Sequence, residues 1–202
     1  NVSYEGKEKF QSAGKWKQWR KRAKRDEQSK DEELESVLRG LAAEEGLEVF
    51  DVGQGRGGEC QYLATLHTVE PSSYVVRDGK IVWNYEVVDS FRSRVAAWLR
   101  DHEEKWNGGE MLRTLVLMER GKWRETMTEA EEKEQWGRYL EGVAHAQYGQ
   151  WGDNFTLMAI SGVLKRMVLA CSVGPSKGRT KFEIEPPDYW DTGESTGIPL
   201  IL

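Results

Sequence analysis

Apolar side chains follow helical spacing in some parts of the chain and strand-like alternation in others. Leu34, Val37, Leu38 and Leu41 recur at intervals of three and four residues until Gly46, as expected for one face of a helix that ends there. The same spacing predicts helices at about 60–68, 89–103 and 111–118, and further helices after Thr128 and Asp153. Strands are predicted at 47–52, at 74–83 as a hairpin or a surface insertion, and at 167–172, 181–185 and 198–202.

These helices and short strands do not follow a strict strand, helix, strand order. That arrangement favours an α+β fold, or a small α/β sandwich, over a doubly wound parallel sheet. We expect an α+β domain with a small central β-sheet flanked by helices over residues 31–202. Residues 1–30 are expected to form a separate basic helical extension.

The basic extension concentrates positive charge in a chain whose net charge is −5. It has two readings: a solvated helix face, or a contact for the phosphate backbone of RNA or a ribosome, with Trp16 and Trp19 available to stack on bases. The candidate contact residues are Lys15, Lys17, Arg20, Lys21, Arg22, Lys24 and Arg25.

Composition narrows the class of protein further. The chain has 202 residues, of which 38% are hydrophobic and 31% charged, and no apolar run reaches the roughly 18 residues of a membrane span. No signal peptide is visible, and Cys60 and Cys171 are too few for a disulfide scaffold, so we expect a cytoplasmic protein without membrane contact. Nothing in the pattern calls for a metal or a cofactor.

Cys60 lies where a glycine-rich turn meets the start of a predicted helix. A nucleophilic cysteine is commonly placed there, because the positive end of the helix dipole favours the thiolate. Gly57, Gly58 and Cys60 would offer backbone N–H groups to an oxyanion. Glu59 argues against this reading, since a carboxylate directed at the thiol opposes thiolate formation. Cys171, within a predicted apolar strand, is expected to be a core residue.

The glycine turn and Cys60, together with residues 139–164, resemble the ovarian tumour (OTU) family of cysteine deubiquitinases. The second segment is similar to that family's Trp-Gly, helix, strand block, here with Trp151 and Gly152, and residues 199–202 look like its strand before the catalytic histidine. The resemblance implies a papain-type fold that hydrolyses ubiquitin isopeptide bonds through Cys60. The basic extension is most similar to the subgroup linked to ribosomes.

Two departures from the family pattern bear on activity. Where the family has Asp, Gly, and Asn or His before the cysteine, this chain has Gly57, Gly58 and Glu59. The family's histidine base follows the segment that 199–202 resembles, so either it lies past Leu202 or the protein is an inactive OTU-fold scaffold or ubiquitin-binding subunit docked on a ribonucleoprotein. His67 lies about 10 Å along the helix from Cys60, too far to act as base.

Trp151 and Gly152 are interpreted as a packing motif, because a tryptophan at a turn between helices is normally an anchor. Asp153 and Asn154 are interpreted as helix-start residues rather than as a third catalytic group. His145 would approach Cys60 only if the fold happened to place it there.

Overall fold

The fold was obtained as a computed structural model of the chain. It describes residues 32–33, 35–37, 39–40, 42–44, 46, 50–53, 55–104, 111–146, 152–173, 179–184 and 200–201. The candidate RNA-contact residues from Lys15 to Arg25, the domain boundary expected at 30–31, and Trp151 therefore lie outside the described residues.

From Cys60 onward the described elements are a mixture of helices and short strands. In chain order they are α1 (Cys60–Val69), a 3₁₀ turn (Pro71–Ser73), β1 (Tyr74–Arg77), β2 (Lys80–Trp83), α2 (Tyr85–Asp101), α3 (Leu112–Glu119), α4 (Glu129–Ala144), α5 (Asn154–Leu164), β3 (Val168–Val173), β4 (Arg179–Ile184) and β5 (Leu200–Ile201). This mixture is α+β, as the hydrophobic pattern predicts. Within the described ranges, no helix is both long enough and apolar enough to cross a bilayer.

The chain divides into two compact units. The first comprises Asn1–Phe50 with Ser172–Thr180, and the second Asp51–Cys171 with Lys181–Leu202. In the first unit the described residues between 32 and 44 are all helical, and Gly46 ends this helix with a positive φ of 70° and an N–H bond to Ala43 O. The predicted first helix and its glycine stop are confirmed.

The second unit has one hydrophobic core, and α2 lies against both α4 and α5 in it. Val88, Val95 and Leu99 of α2 have no exposed surface, because they recur on one face at helical spacing. Arg92 occupies the same face and is also fully buried. The core is completed by side chains from α1, α3, α4, α5 and β3, including Leu63, Leu112, Trp136, Ile160 and Val168.

Side-chain caps set where three of these helices begin. Asn84 accepts the N–H of Glu86 at the start of α2, and Thr128 forms a capping box with Glu131 at the start of α4. Asp153 does the same for α5, where the partner is Thr156. These bonds satisfy N–H groups that a helix leaves unpaired in its first turn, so the predicted caps at Thr128 and Asp153 are confirmed.

The described strands form two small sheets. β1 and β2 are an antiparallel hairpin in which Val75 faces Val82 across the pair, with Asp78 and Gly79 at its turn, so the hairpin interpretation is confirmed. The second sheet has the order β4-β3-β5, and β3 and β5 run parallel. The strand expected at 47–52 is not found among its described residues 50–52, which are irregular. Alternation of apolar residues does not by itself predict a strand there, because a strand forms only when it pairs with another strand.

Gly162 of α5 lies directly against the Trp98 ring of α2, and an added Cβ would be 2.5 Å from that ring. We predict that Gly162→Ala lowers the free energy of unfolding by about 1–3 kcal/mol, because overpacking forces the ring or the helix to shift. Gly137→Ala is the control, since no heavy atom lies within 4 Å of its Cβ position in α4. Removing that glycine should raise stability by about 0.4–1 kcal/mol. Urea unfolding of both variants measures this difference, and equal effects would contradict it.

Candidate active site

The turn before Cys60 has a backbone that depends on glycine. Gly57 and Gly58 have φ values of 114° and 73°, a region that residues with a Cβ rarely adopt. Gly58 is buried and the next residues are Glu59 and Cys60, so the chain turns sharply inward just before the helix. The glycine-rich turn expected from the sequence is thus present at 55–58.

Cys60 is the first residue of α1, and its side chain is partly exposed. Glu59 occupies the N-cap position but makes no side-chain capping bond, unlike the N-caps of α2, α4 and α5. The first helical N–H with a backbone acceptor is that of Leu63, which bonds Glu59 O at 3.0 Å. For the N–H groups of the preceding first turn, which includes Cys60, no backbone acceptor lies among the described residues, and these groups are at the positive end of the helix dipole.

Glu59 is fully buried and is held by Arg56 from the other side of the turn. Its Oε2 accepts the backbone N–H of Arg56 at 2.7 Å, and its Oε1 accepts Nη2 of the same residue at 2.8 Å. Arg56 also pairs with Asp89 and lies 4.2 Å over the Tyr85 ring. The hydrogen bonds to Asp89 and then to Glu59 raise the pKa of Arg56 above its ordinary value.

Arg92 brings a second positive charge to Glu59 from α2. Its Nη1 is 3.8 Å from Glu59 Oε1, while its Nε and Nη2 donate to the carbonyls of Val143 and Gly142 at 2.9 and 2.8 Å. The guanidinium also lies 4.6 Å over the Tyr62 ring. Burial lowers the pKa of Arg92, and the nearby Tyr62 and Glu59 oppose that shift. The Glu59 carboxylate thus lies between two guanidinium groups.

The residue after Cys60 connects α1 to α5. Gln61 Oε1 accepts the hydroxyl of Thr156 at 2.7 Å, and Gln61 Nε2 is 3.4 Å from Asp153 O. Gly152 is so close that a Cβ there would lie 1.7 Å from Gln61 Oε1. The helix starts at Cys60 and at Asn154 are therefore in direct contact, and a side chain at position 152 would force Gln61 to shift.

Asp153 is the centre of a polar cluster beside this contact. Its carboxylate accepts the Tyr139 hydroxyl at 3.1 Å and pairs with Arg120 at 3.2 Å, in addition to capping α5. Burial, followed by the charge of Asp153, raises the pKa of Tyr139 well above its ordinary value. The interpretation of Asp153 as a helix-start residue is confirmed, and its extra partners fix α4 and α5 to one another.

The three histidines have interactions of their own at other positions in the second unit. His67 stacks on Tyr74 with ring centroids 4.8 Å apart, and His102 stacks on Trp98 at 4.1 Å. His145, at the C-cap of α4, is 3.7 Å from the Glu141 carboxylate four residues earlier. Each of these histidine rings thus packs on an aromatic ring or lies near a carboxylate.

The structure brings together Gly57, Gly58, Glu59 and Cys60 in one turn and places Gly152 against the next residue, Gln61. Sequence reasoning missed Arg56, Arg92 and Thr156. Arg92 had a signal: an arginine on an apolar helix face between Val88 and Val95 requires a buried acceptor. The sequence contains no such signal for Gln61 and Thr156, because the contact between them joins positions 95 residues apart.

No cofactor or metal site is indicated by the described part of the chain. Within it, no group of three or more His, Cys, Asp or Glu side chains is arranged to hold a metal ion. The groups that the turn itself offers are a thiol, backbone N–H groups and paired charges.

Comparisons with protein-family models, with curated proteins and with solved structures give no match for this chain.

Thr156 is fully buried and its hydroxyl joins Gln61 to the start of α5. We predict that Thr156→Val lowers the free energy of unfolding by about 1–3 kcal/mol, because buried partners lose their hydrogen bonds. Thr68→Val is the control, since its hydroxyl is exposed and bonds the carbonyl of Ala64 in the same helix, and its effect should stay within about 0.5 kcal/mol. Denaturant titration measures both variants, and a Thr156→Val effect as small as that of the control would show that the contact is not stabilising.

Proposed function

We propose that this chain contains an OTU-like cysteine hydrolase site that cleaves the isopeptide bond between ubiquitin and a lysine. The observation that carries the proposal is the position of Cys60: a partly exposed thiol at the first residue of α1, directly after a turn of left-handed glycines. That combination provides a nucleophile and N–H donors at one point.

In the proposed reaction the Cys60 sulfur bonds to the carbonyl carbon at the ubiquitin C-terminus, and its proton passes to a base. The carbonyl oxygen becomes an oxyanion, which the N–H groups of Gly57, Gly58 and Cys60 would stabilise. The C–N bond then breaks, and the base returns the proton to the lysine nitrogen. Water hydrolyses the thioester, so that the products are a ubiquitin carboxylate, a free lysine amine and the regenerated thiol.

The contact between Gln61 and Gly152 supports the family assignment. The two segments that resemble the OTU motifs are far apart in the sequence, yet they touch at the residue after the candidate nucleophile. A site assembled from one glycine turn and one Trp-Gly segment is what the resemblance implies. The general base in this proposal is a histidine on the strand that the family places after the segment resembling 199–202.

An inactive OTU-fold scaffold, or a ubiquitin-binding subunit, is the second candidate function. The observations that favour it are the roles of the three histidines, which stack on aromatic rings or pair with Glu141. In either case the proposed partner of the basic residues between Lys15 and Arg25 is ribosomal or other RNA, because dense positive charge next to tryptophans suits a phosphate backbone.

The test is cleavage of isopeptide-linked diubiquitin by the full-length protein. We predict turnover that Cys60→Ala abolishes, because removal of the sulfur leaves no nucleophile. Cys171→Ala is the matched control, since it removes the chain's other thiol, and it should retain the activity of the wild type. Appearance of monoubiquitin on a gel measures the reaction.

Two outcomes would contradict the proposal that this chain cleaves ubiquitin linkages through Cys60. Cleavage that persists in Cys60→Ala would assign the activity to another residue. Binding of diubiquitin by the wild type without cleavage would favour the scaffold.

A further inference from the structure

The fully buried carboxylate of Glu59 lies one residue before the candidate nucleophile, where the OTU pattern has Asn or His. We propose that Glu59 is a positioning residue, which fixes the Gly57–Cys60 turn so that its N–H groups face the carbonyl oxygen attacked by Cys60. This inference rests on the proposed function for its catalytic consequence. That Glu59 holds the turn in place follows from the geometry alone.

A hydrogen bond from the backbone to Glu59 closes the turn. Glu59 Oε2 accepts the backbone N–H of Arg56 at 2.7 Å, so the carboxylate reaches back across Gly57 and Gly58 to the residue before them. Gly55 fits closely around the same oxygen, since a Cβ there would lie 2.6 Å from it. Two glycines with positive φ have many alternative conformations, and a bond that spans them selects one.

Arg92 anchors the Glu59 carboxylate to the core. Arg92 is fully buried, and Nη1 faces Glu59 Oε1 without a hydrogen-bond partner among the described residues. Its Nε and Nη2 are fixed by the carbonyls of Val143 and Gly142 at the C-terminal end of α4. Glu59, and with it the turn, is thereby held in position relative to helices α2 and α4.

Two cations lie beside the Glu59 carboxylate. Both oxygens of Glu59 are engaged by Arg56, and Arg92 adds a second cation beside Oε1. The negative charge that was expected to oppose a thiolate is therefore balanced within the turn and its support. In this arrangement Glu59 contributes geometry to the site, and Cys60 remains the group that reacts.

The test compares Glu59→Gln with wild type and with Glu134→Gln. The Glu134 control makes the same chemical change at an exposed ion pair with Arg138 on α4. Because charge-assisted hydrogen bonds are about twice as strong as neutral ones, exchange of the Arg56 amide should be about tenfold faster in Glu59→Gln. NMR-detected hydrogen exchange at Arg56, Gly57 and Gly58 measures it.

Two reactions of Cys60 distinguish an effect on the turn from an effect on the reactivity of the thiol. On a fluorogenic ubiquitin C-terminal amide, kcat of Glu59→Gln should fall about 10- to 100-fold with KM within about twofold, as expected when oxyanion donors are misplaced. Alkylation of Cys60 by iodoacetamide forms no oxyanion, so its rate should change less than about threefold. A parallel loss in both reactions, or an unchanged kcat, would overturn the positioning role.

Arg56→Gln covers the case in which Glu59→Gln fails to fold. The Arg56 side chain is 38% exposed, and the variant keeps the backbone bond to Glu59 while losing the 2.8 Å contact. It should lower kcat in the same direction by about 3- to 10-fold, again without a matching loss in alkylation. If the wild type shows no turnover, the proposed function fails, and the exchange rates decide this inference: equal rates in Glu59→Gln and Glu134→Gln overturn it.

Discussion

A carboxylate enclosed in a protein interior has to be balanced by positive charge, and in this chain that requirement links the turn before Cys60 to the helical core. Glu59 has no exposed surface and lies between Arg56 and Arg92. Removing one partner of a buried ion pair typically costs about 3–5 kcal/mol, because the remaining charge is left uncompensated. The turn, the middle of α2 and the end of α4 are therefore constrained together.

A second contact fixes the other side of the candidate nucleophile. Gln61 is bound by Thr156 and touches Gly152, so the start of α1 is held against the start of α5. Cys60 thus lies between an ionic support on one side and a hydrogen-bonded support on the other. A helix start that presents N–H groups beside a partly exposed thiol is suited to attack on a carbonyl, provided that its geometry is held in advance of binding.

The sequence predicted most helices of this fold, because their apolar spacing and caps are local properties. Thr128 and Asp153 cap helices as their residue types indicate, and the hairpin around Asp78 has the expected turn. Residues 50–52 differ from the expected strand, since pairing depends on distant chain segments that no local pattern specifies.

The candidate site was predictable only in part. The glycine turn and Cys60 are contiguous in the sequence, so their geometry follows from left-handed glycines and a helix start. The role of Glu59 could not be predicted in the same way, because whether a carboxylate opposes the thiol or supports the turn depends on where Arg92 lies. That position is set by packing of α2 against α4, which joins residues about fifty positions apart.

The most direct test of the account is covalent trapping of the full-length protein with ubiquitin that carries an electrophilic C-terminal propargyl group. Intact mass measurement and peptide mapping identify the modified residue. The account predicts an adduct of one ubiquitin per chain at the sulfur of Cys60, absent in Cys60→Ala. An adduct confined to Cys171, or no adduct on a folded protein, would contradict it.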